Sequence, residues 1–580
     1  MRLALAALAL TLAAPAAAAP GDDFKRLMDE YWAWSLQQNP VQATSLGVRA
    51  PDTLGELSLA AEDRRAQARR GFLARLDAIP EGGLSAADRV NRRILRRQLA
   101  EDIEANGFGQ RAMLFTTYAG WHQGFAGLAE GLPLRTGADF RSYLKRLADY
   151  PRLNEEALAV SDVALKGGYV LPCAVLGNTE RSITGVIGAD ATQTRLYAPF
   201  TKPKPADVGA AEWARMQADA KTAINGPIRA AYAKHAQWYR TQYQPKCAQA
   251  VGVSAQPGGD RYYAFRVRQM TTTDMTPDQI HKLGLSEVAR IRAEMEGVAR
   301  KAGFASREAM IADLRTNPKY YAKTPQELME AVALEVKRID GLMPTLFGRL
   351  PRLPYGIRQI PAETAEGTTT AYYSPGSPES GIAGNYYVNT SKLDQRPLWE
   401  VPALSVHEAV PGHHHQIALQ QELSLPEWRK HGAFFTAFVE GWGLYSERLG
   451  IEMGLYDTPA KDMGRLSYEM WRACRLVVDT GIHSKGWSKE RAIKFMTDNS
   501  ALSAANIEAE VNRYISWPGQ ALAYKVGELK IRELRARAEK ELGAGFDLRR
   551  FHDAVLGQGA VPLDVLDAQI GEWIAGEKRA

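Results

Sequence analysis

The chain has 580 residues, 45% of them apolar and 24% charged, with a net charge of +6. That length predicts two subdomains around a cleft, and the composition is that of an ordinary soluble globular protein. So mild a charge, with neither a basic block nor a nucleic-acid-reading motif, sets aside DNA and RNA as partners.

Residues 1–19 predict a secretory signal peptide: Arg2 gives the positive start, Leu3–Leu12 the apolar run and Ala16–Ala19 a small-residue cleavage region. The apolar run is short of the ~20 residues a membrane span needs. A cleaved signal places the mature chain in the periplasm or outside the cell. No cysteine follows the apolar run, so lipid attachment is not suggested, and no later segment reads as a span. Of the three cysteines, Cys173 and Cys247 sit beside prolines in loop-like sequence and form the expected disulfide pair. Cys474, within "WRACRLVV", reads as a small buried hydrophobe.

Residues 20–257 read as an N-terminal helical subdomain without concentrated reactive side chains, and 258–580 as a helical catalytic subdomain. Two helix starts stand out in the latter. "TPDQI" puts Thr276 at the N-cap, Pro277 at the first helical position and Gln279 at the capping-box position. "TPQEL" repeats the device with Thr324, Pro325 and Glu327. Ile280, Val288, Ile291, Met295 and Val298 then keep helical spacing, as do Leu328, Val332, Val336 and Ile339. Residues 367–391 break the texture: β-branched and aromatic residues flank a Ser/Pro/Gly turn, predicting a hairpin or two strands. The second of these, "NYYVNT", with Asn385 and Tyr387, either pairs its edge with an extended peptide or merely packs on helices.

"VHEAVPGHHHQ" follows. In an ordinary HExxH helix the two histidines lie four apart, about 400° round the axis and on one face. Here Pro411 holds the second position, and histidines stand at 413, 414 and 415. The six-residue step from His407 to His413 turns about 600° on a regular helix, while His414 lies about 10.5 Å further along the axis. Pro411 has no N–H for the His407 carbonyl and Gly412 tolerates unusual backbone angles. They predict a widened turn within the helix that returns His413 to the metal, with His414 in reserve. In "FFTAFVEGWGLYSERLG", Glu440 and Glu447 share a helical face, and Gly441 and Gly443 would let another helix approach closely.

"HEAVPGHHHQ", "FVEGWGLYSERLG", "RACRLVVDTGIH" and "RYISWPGQALAYKVGELKI", in that order, resemble the bacterial family called domain of unknown function 885, over nearly the whole mature chain. That family looks like a relative of helical zinc metallopeptidases. "FVEGWGLYSE" is similar to the segment of the thimet oligopeptidase and neurolysin family that carries the third zinc ligand, which falls here on Glu440, with Glu447 in the second-glutamate position. Dipeptidyl peptidase III enzymes offer a precedent for a lengthened His-to-His spacing. The resemblance implies a mostly α, zincin-like body with a deep cleft and a small sheet at the active site.

On this reading His407, His413 and Glu440 hold one Zn²⁺ and Glu408 is the general base toward water. His483, Tyr514 and Tyr524 are candidate donors to the oxyanion. Asp479 orients a histidine or caps a helix. Arg475, Arg513 and Lys525 could pair a substrate carboxylate. The expected activity is a secreted zinc metallopeptidase acting on short peptides. The alternatives are a zinc amidohydrolase on non-ribosomal or cell-wall-derived amides, and a non-catalytic peptide-binding protein.

Overall fold

The computed structural model describes residues 19–117, 119–188 and 190–579. The expected signal peptide lies outside the described residues apart from Ala19. Cys173 and Cys247 form a disulfide with Cα atoms 5.0 Å apart, and Cys474 is a free, buried thiol. No described helix is long and apolar enough to cross a membrane.

The chain is mostly helical, as its spacing predicts, with one small sheet. The longest helix of the N-terminal half, α1 (Gly137–Lys166), starts at a capping box of Thr136 and Asp139. In the second half α2 (Pro277–Lys301) starts at the expected box, where Thr276 and Gln279 satisfy each other's backbone N–H groups. The start of α3 (Pro325–Leu346) is only half a box: Thr324 accepts from the Glu327 N–H, but the Glu327 carboxylate accepts from Lys323 instead. Both helices bury the apolar stripes read from the sequence, except that Val298 stays half-buried.

The sheet combines β1 (Tyr355–Gln359), β2 (Ala371–Ser374) and β3 (Gly384–Val388) in the order β1-β3-β2. β2 and β3 are the two expected strands and pair antiparallel, while β1 pairs parallel to β3. This corrects the reading of "NYYVNT" as an available edge: β3 is the central strand, bonded on both sides, and the free edges belong to β1 and β2. The register puts Arg358, Tyr372, Ser374, Asn385 and Tyr387 on one face. The opposite face, with Tyr373 and the fully buried Tyr386, meets the helices that follow.

Those helices are α4 (Val401–Glu408), α5 (His413–Glu422), α6 (Thr436–Leu449), α7 (Pro459–Lys485), α8 (Ala504–Ser516) and α9 (Ala523–Leu542). α7 is the axis of the C-terminal half: every residue from Met463 to His483 is buried. It packs on α2 at Gly284, where a Cβ would meet the Leu476 side chain at 2.7 Å. A helix buried all round would ordinarily be apolar, yet α7 carries Arg465, Glu469, Arg472, Arg475 and Asp479 inside. Buried charges need partners, so the packing of α7 is as much ionic as apolar. The two largest apolar clusters each draw on both sides of position 257: Phe140 and Tyr232 share one with Trp471 and Val477, and Phe24 and Leu95 share the other with Trp442 and Leu534.

Glu400, at the N-cap of α4, is buried and accepts from the Tyr468 hydroxyl at 3.1 Å. Burial pushes its carboxyl up to about 7, against the pull of that hydroxyl and of Arg396 and Arg472. A carboxyl raised in the folded state contributes stability that is present below its ordinary pKa and is lost as pH rises through about 7. Glu400→Gln should therefore match the wild type in denaturant midpoint near pH 4 and exceed it at pH 8.5, by on the order of 1 kcal/mol or more. Equal pH dependence of the two proteins would show that folding leaves the Glu400 carboxyl at its ordinary pKa.

Candidate metal centre

α4 ends at Glu408, and α5 begins at His413. Between them the chain leaves helical geometry altogether: Ala409 and Gly412 have ψ near −110° and −127°, and the Val410–Pro411 peptide is cis. The expected widened turn is thus a complete break between two short helices. Gly412 is needed there because the chain doubles back on α4: a Cβ would lie 1.9 Å from the His407 carbonyl oxygen. The Trp442 indole donates to the Pro411 carbonyl at 2.7 Å and pins the connection. The break brings His413 beside His407, with ring centres 4.7 Å apart and planes perpendicular. No helical face could have done this at a six-residue spacing.

α6 supplies the third group. Gly441 lies against Gly527 of α9, where a Cβ would come within 2.6 Å of backbone atoms. Gly443 faces the His407 ring, which a Cβ would meet at 2.8 Å. These two contacts let α6 settle deeply enough for Glu440 Oε2 to stand 3.6 Å from His407 Nε2 and 3.3 Å from His413 Nε2. His407, His413 and Glu440 are the group found among the described residues that could hold a metal ion, their ligand atoms all within 4.8 Å of one another. Glu440 Oε2 and His413 Nδ1 are buried without a hydrogen-bond partner among those residues. Donors sharing a tetrahedral zinc at 2.0–2.1 Å stand about 3.3 Å apart, so the spacing and the two-imidazole, one-carboxylate set both fit that ion.

The surroundings orient these groups. His407 Nδ1 donates to Glu447 Oε1 at 2.8 Å, which leaves Nε2 directed at Glu440. Glu447 in turn is held by Arg472 at 3.1 Å, whose guanidinium lies over the Trp471 ring. Burial pulls the His407 imidazole down, but Glu440 and Glu447 outweigh it and lift it to about 9 in the metal-free chain. Burial raises the Glu440 carboxyl, yet His413 and His407 hold it well below the usual range. Glu408, beside His407, lines the same cavity. That cavity, of about 190 Å³, is walled by Thr369–Tyr373, His407, Glu408, His413, Glu440, Trp517 and Tyr524.

The other residues singled out in the sequence divide sharply. Tyr524 lines the cavity, stacked 6.2 Å from the His407 ring, and its hydroxyl is pushed up to about 12 by burial and by Glu440. Arg475 and Arg513 line it too. His414 turns away: Nδ1 meets the Tyr373 hydroxyl at 3.0 Å and Nε2 the Leu353 carbonyl at 2.9 Å, so neither nitrogen is free for a metal. His415 is fully buried against Phe347. Tyr514 donates to Glu510 and accepts from Trp471 and Arg475, outside the cavity lining. His483 accepts from the Val253 N–H and donates to the Tyr514 carbonyl, a neutral buried imidazole bridging chain segments. Asp479 accepts from Tyr263 and from the N–H of Gly519, fixing the turn before α9. Lys525 is enclosed by Glu287, Glu469 and Glu528. Asn385 and Tyr387 belong to the outer sheet face and to a separate cavity with Arg358 and Gln421. Arg472 and Glu510 were missed. Their only signal is spacing, Arg472 three before Arg475 and Glu510 three before Arg513, which ordinary helix surfaces share.

Solved structures resemble the chain, two of them described as lipoproteins. "The crystal structure of the putative lipoprotein from Colwellia psychrerythraea" matches with a TM-score of 0.87 and 26% identity, covering 96% of this chain and 99% of that one. A structure described as a "putative lipoprotein of unknown function from Shewanella oneidensis" matches at 0.66 and 19%, covering 94% and 99%. No curated protein matches. Residues 40–570 match the family described as "Bacterial protein of unknown function (DUF885)", and the chain belongs to that family.

Proposed function

We propose that this chain is a metal-dependent hydrolase that cleaves peptide bonds of short peptides. The observation that carries the reading is the convergence of His407, His413 and Glu440 from three separate segments, with Glu408 beside them in one cavity. Zn²⁺ suits these ligands best; when bound, it supplies Lewis acidity that polarises a carbonyl and lowers the pKa of water. Glu408 takes a proton from the attacking water as the oxygen–carbon bond forms. It returns that proton to the nitrogen as the carbon–nitrogen bond breaks, giving a carboxylic acid and an amine. The Tyr524 hydroxyl, kept protonated by burial, would donate to the developing oxyanion. Glu447 positions His407 rather than touching substrate.

The sheet supports a peptide rather than an arbitrary amide. Thr370 accepts from the Asn389 N–H, so by antiparallel alternation Ala371 and Tyr373 turn their amide groups away from β3. Both residues line the cavity, and this free edge of β2 can pair with an extended backbone. The disulfide and the "putative lipoprotein" descriptions of the similar structures favour an exported protein in the periplasm or outside the cell.

Metal analysis tests the assignment. We expect close to one zinc per chain, retained in Glu408→Gln with hydrolysis abolished; retained hydrolysis would remove Glu408 as the base. His413→Ala should lose the metal and His414→Ala should keep it, and the reverse would move the ligand to His414. Glu447→Gln should weaken metal affinity about 10–100-fold, the usual effect of losing a carboxylate behind a ligating histidine. Unchanged affinity would leave Glu447 as a partner of Arg472 alone.

A further inference from the structure

The wall of the cavity facing α8 carries a charge that the hydrolytic reading leaves unused. Arg475 of α7 and Arg513 of α8 share one carboxylate, Glu510, at 2.8 and 2.9 Å. All three are buried and all three line the cavity of the metal group. Arg513 is fully engaged, by Glu510 through two nitrogens and by Gln520 through the third. Arg475 is not: Nη2 donates to Glu510 and Nε to the Tyr514 hydroxyl, while Nη1 is buried with no acceptor among the described residues. Its guanidinium is clamped between Tyr524 at 4.1 Å and Trp471 at 4.5 Å, which fixes the direction of that nitrogen. Two guanidinium groups against one carboxylate leave a buried positive charge short of a partner, an arrangement that favours an incoming anion.

We propose that Arg475 binds the free α-carboxylate of a peptide substrate, so that the protein removes the C-terminal residue as a carboxypeptidase. The proposal rests on the hydrolytic reading and names its substrate class. The ring of Tyr524 separates the two functions, 4.1 Å from the Arg475 guanidinium carbon and 6.2 Å from the His407 ring. One residue of extended chain spans ~3.3–3.6 Å, so groups on either side of this one ring lie within about three residues of extended chain of each other, and a carboxylate on Arg475 keeps the cleaved bond close to the C-terminus. A cavity of about 190 Å³ is small beside the ~300–1,000 Å³ of most ligand sites, which suits a single residue on this side. Lys525 has no such role, being enclosed by three carboxylates.

N-acetylated peptides with a free C-terminal carboxylate, and the same peptides as C-terminal amides, test this on the zinc-loaded full chain. With products read by mass, the acids should lose one C-terminal residue at a kcat/KM about 100-fold or more above the amides, the scale of losing one partner of a buried charge pair. Arg475→Gln should remove that preference by raising KM for the acids far more than for the amides, so that the two kcat/KM values converge. Should that variant fail to fold, the acid–amide comparison on the unaltered chain still decides. Titration calorimetry on Glu408→Gln, which cannot turn over, should show binding of the acid and not of the amide. Equal cleavage of acids and amides, or cleavage at internal bonds, would overturn carboxylate recognition and leave the hydrolase standing. Absence of zinc and of any cleavage would instead overturn the hydrolase. Preferential binding of the acid would then still support the Arg475 subsite.

Discussion

A Cβ on Gly443 would stand 2.8 Å from the His407 ring, and one on Gly441 would press on the backbone of Gly527. α6 therefore lies between α4 and α9 with no room for a methyl group on either side. Glu440 reaches the histidines only because of that depth, and Glu447, two turns on, reaches the far nitrogen of His407 for the same reason. A second close approach completes the arrangement where Gly412 folds back on the His407 carbonyl. The centre is thus set by backbone proximity at a few glycines, with the ligand side chains following.

Around it the protein buries an unusual amount of charge in paired form. Arg472 holds Glu447, Glu510 holds Arg475 and Arg513, and Lys525 is held by three carboxylates. Buried ion pairs add little net stability, because desolvation offsets their attraction. Their use here is positional: each fixes a long side chain against α7, the helix common to nearly all of them. Breaking one such pair would cost far more than the pair contributes, since the remaining charge would be left in an apolar setting. Glu440 Oε2 and Arg475 Nη1 are buried without a hydrogen-bond partner among the described residues, and both belong to groups that line the cavity.

Much of this was legible in the sequence, and for identifiable reasons. Capping at Thr276 is local chemistry and reads directly. Glu440 announced itself as a carboxylate among Phe438, Val439 and Trp442, and the flanking glycines signalled a close approach. The connection from Glu408 to His413 did not read correctly, because Pro411 and Gly412 allow both a widened turn and a full break. Only the packing of Trp442 on the Pro411 carbonyl separates them. β1 escaped notice because "YGIRQ" is too short and too polar for a clear period, and its parallel pairing is a long-range property. His483 and Lys525 looked reactive by residue type, whereas their partners Val253 and Glu287 lie on other segments that sequence cannot bring near, as do Trp471 and Arg475, which donate to Tyr514. Arg475 could not be told from its neighbours until its unpaired nitrogen was seen.

The central claim is that His407, His413 and Glu440 form one metal site. Anomalous diffraction at the zinc absorption edge, from crystals of the full chain grown with Zn²⁺, tests it most directly. The account predicts one strong peak enclosed by those three side chains, with Glu408 beside it. A peak elsewhere with this cluster empty, or His414 turned inward to hold the ion in place of His413, would contradict it.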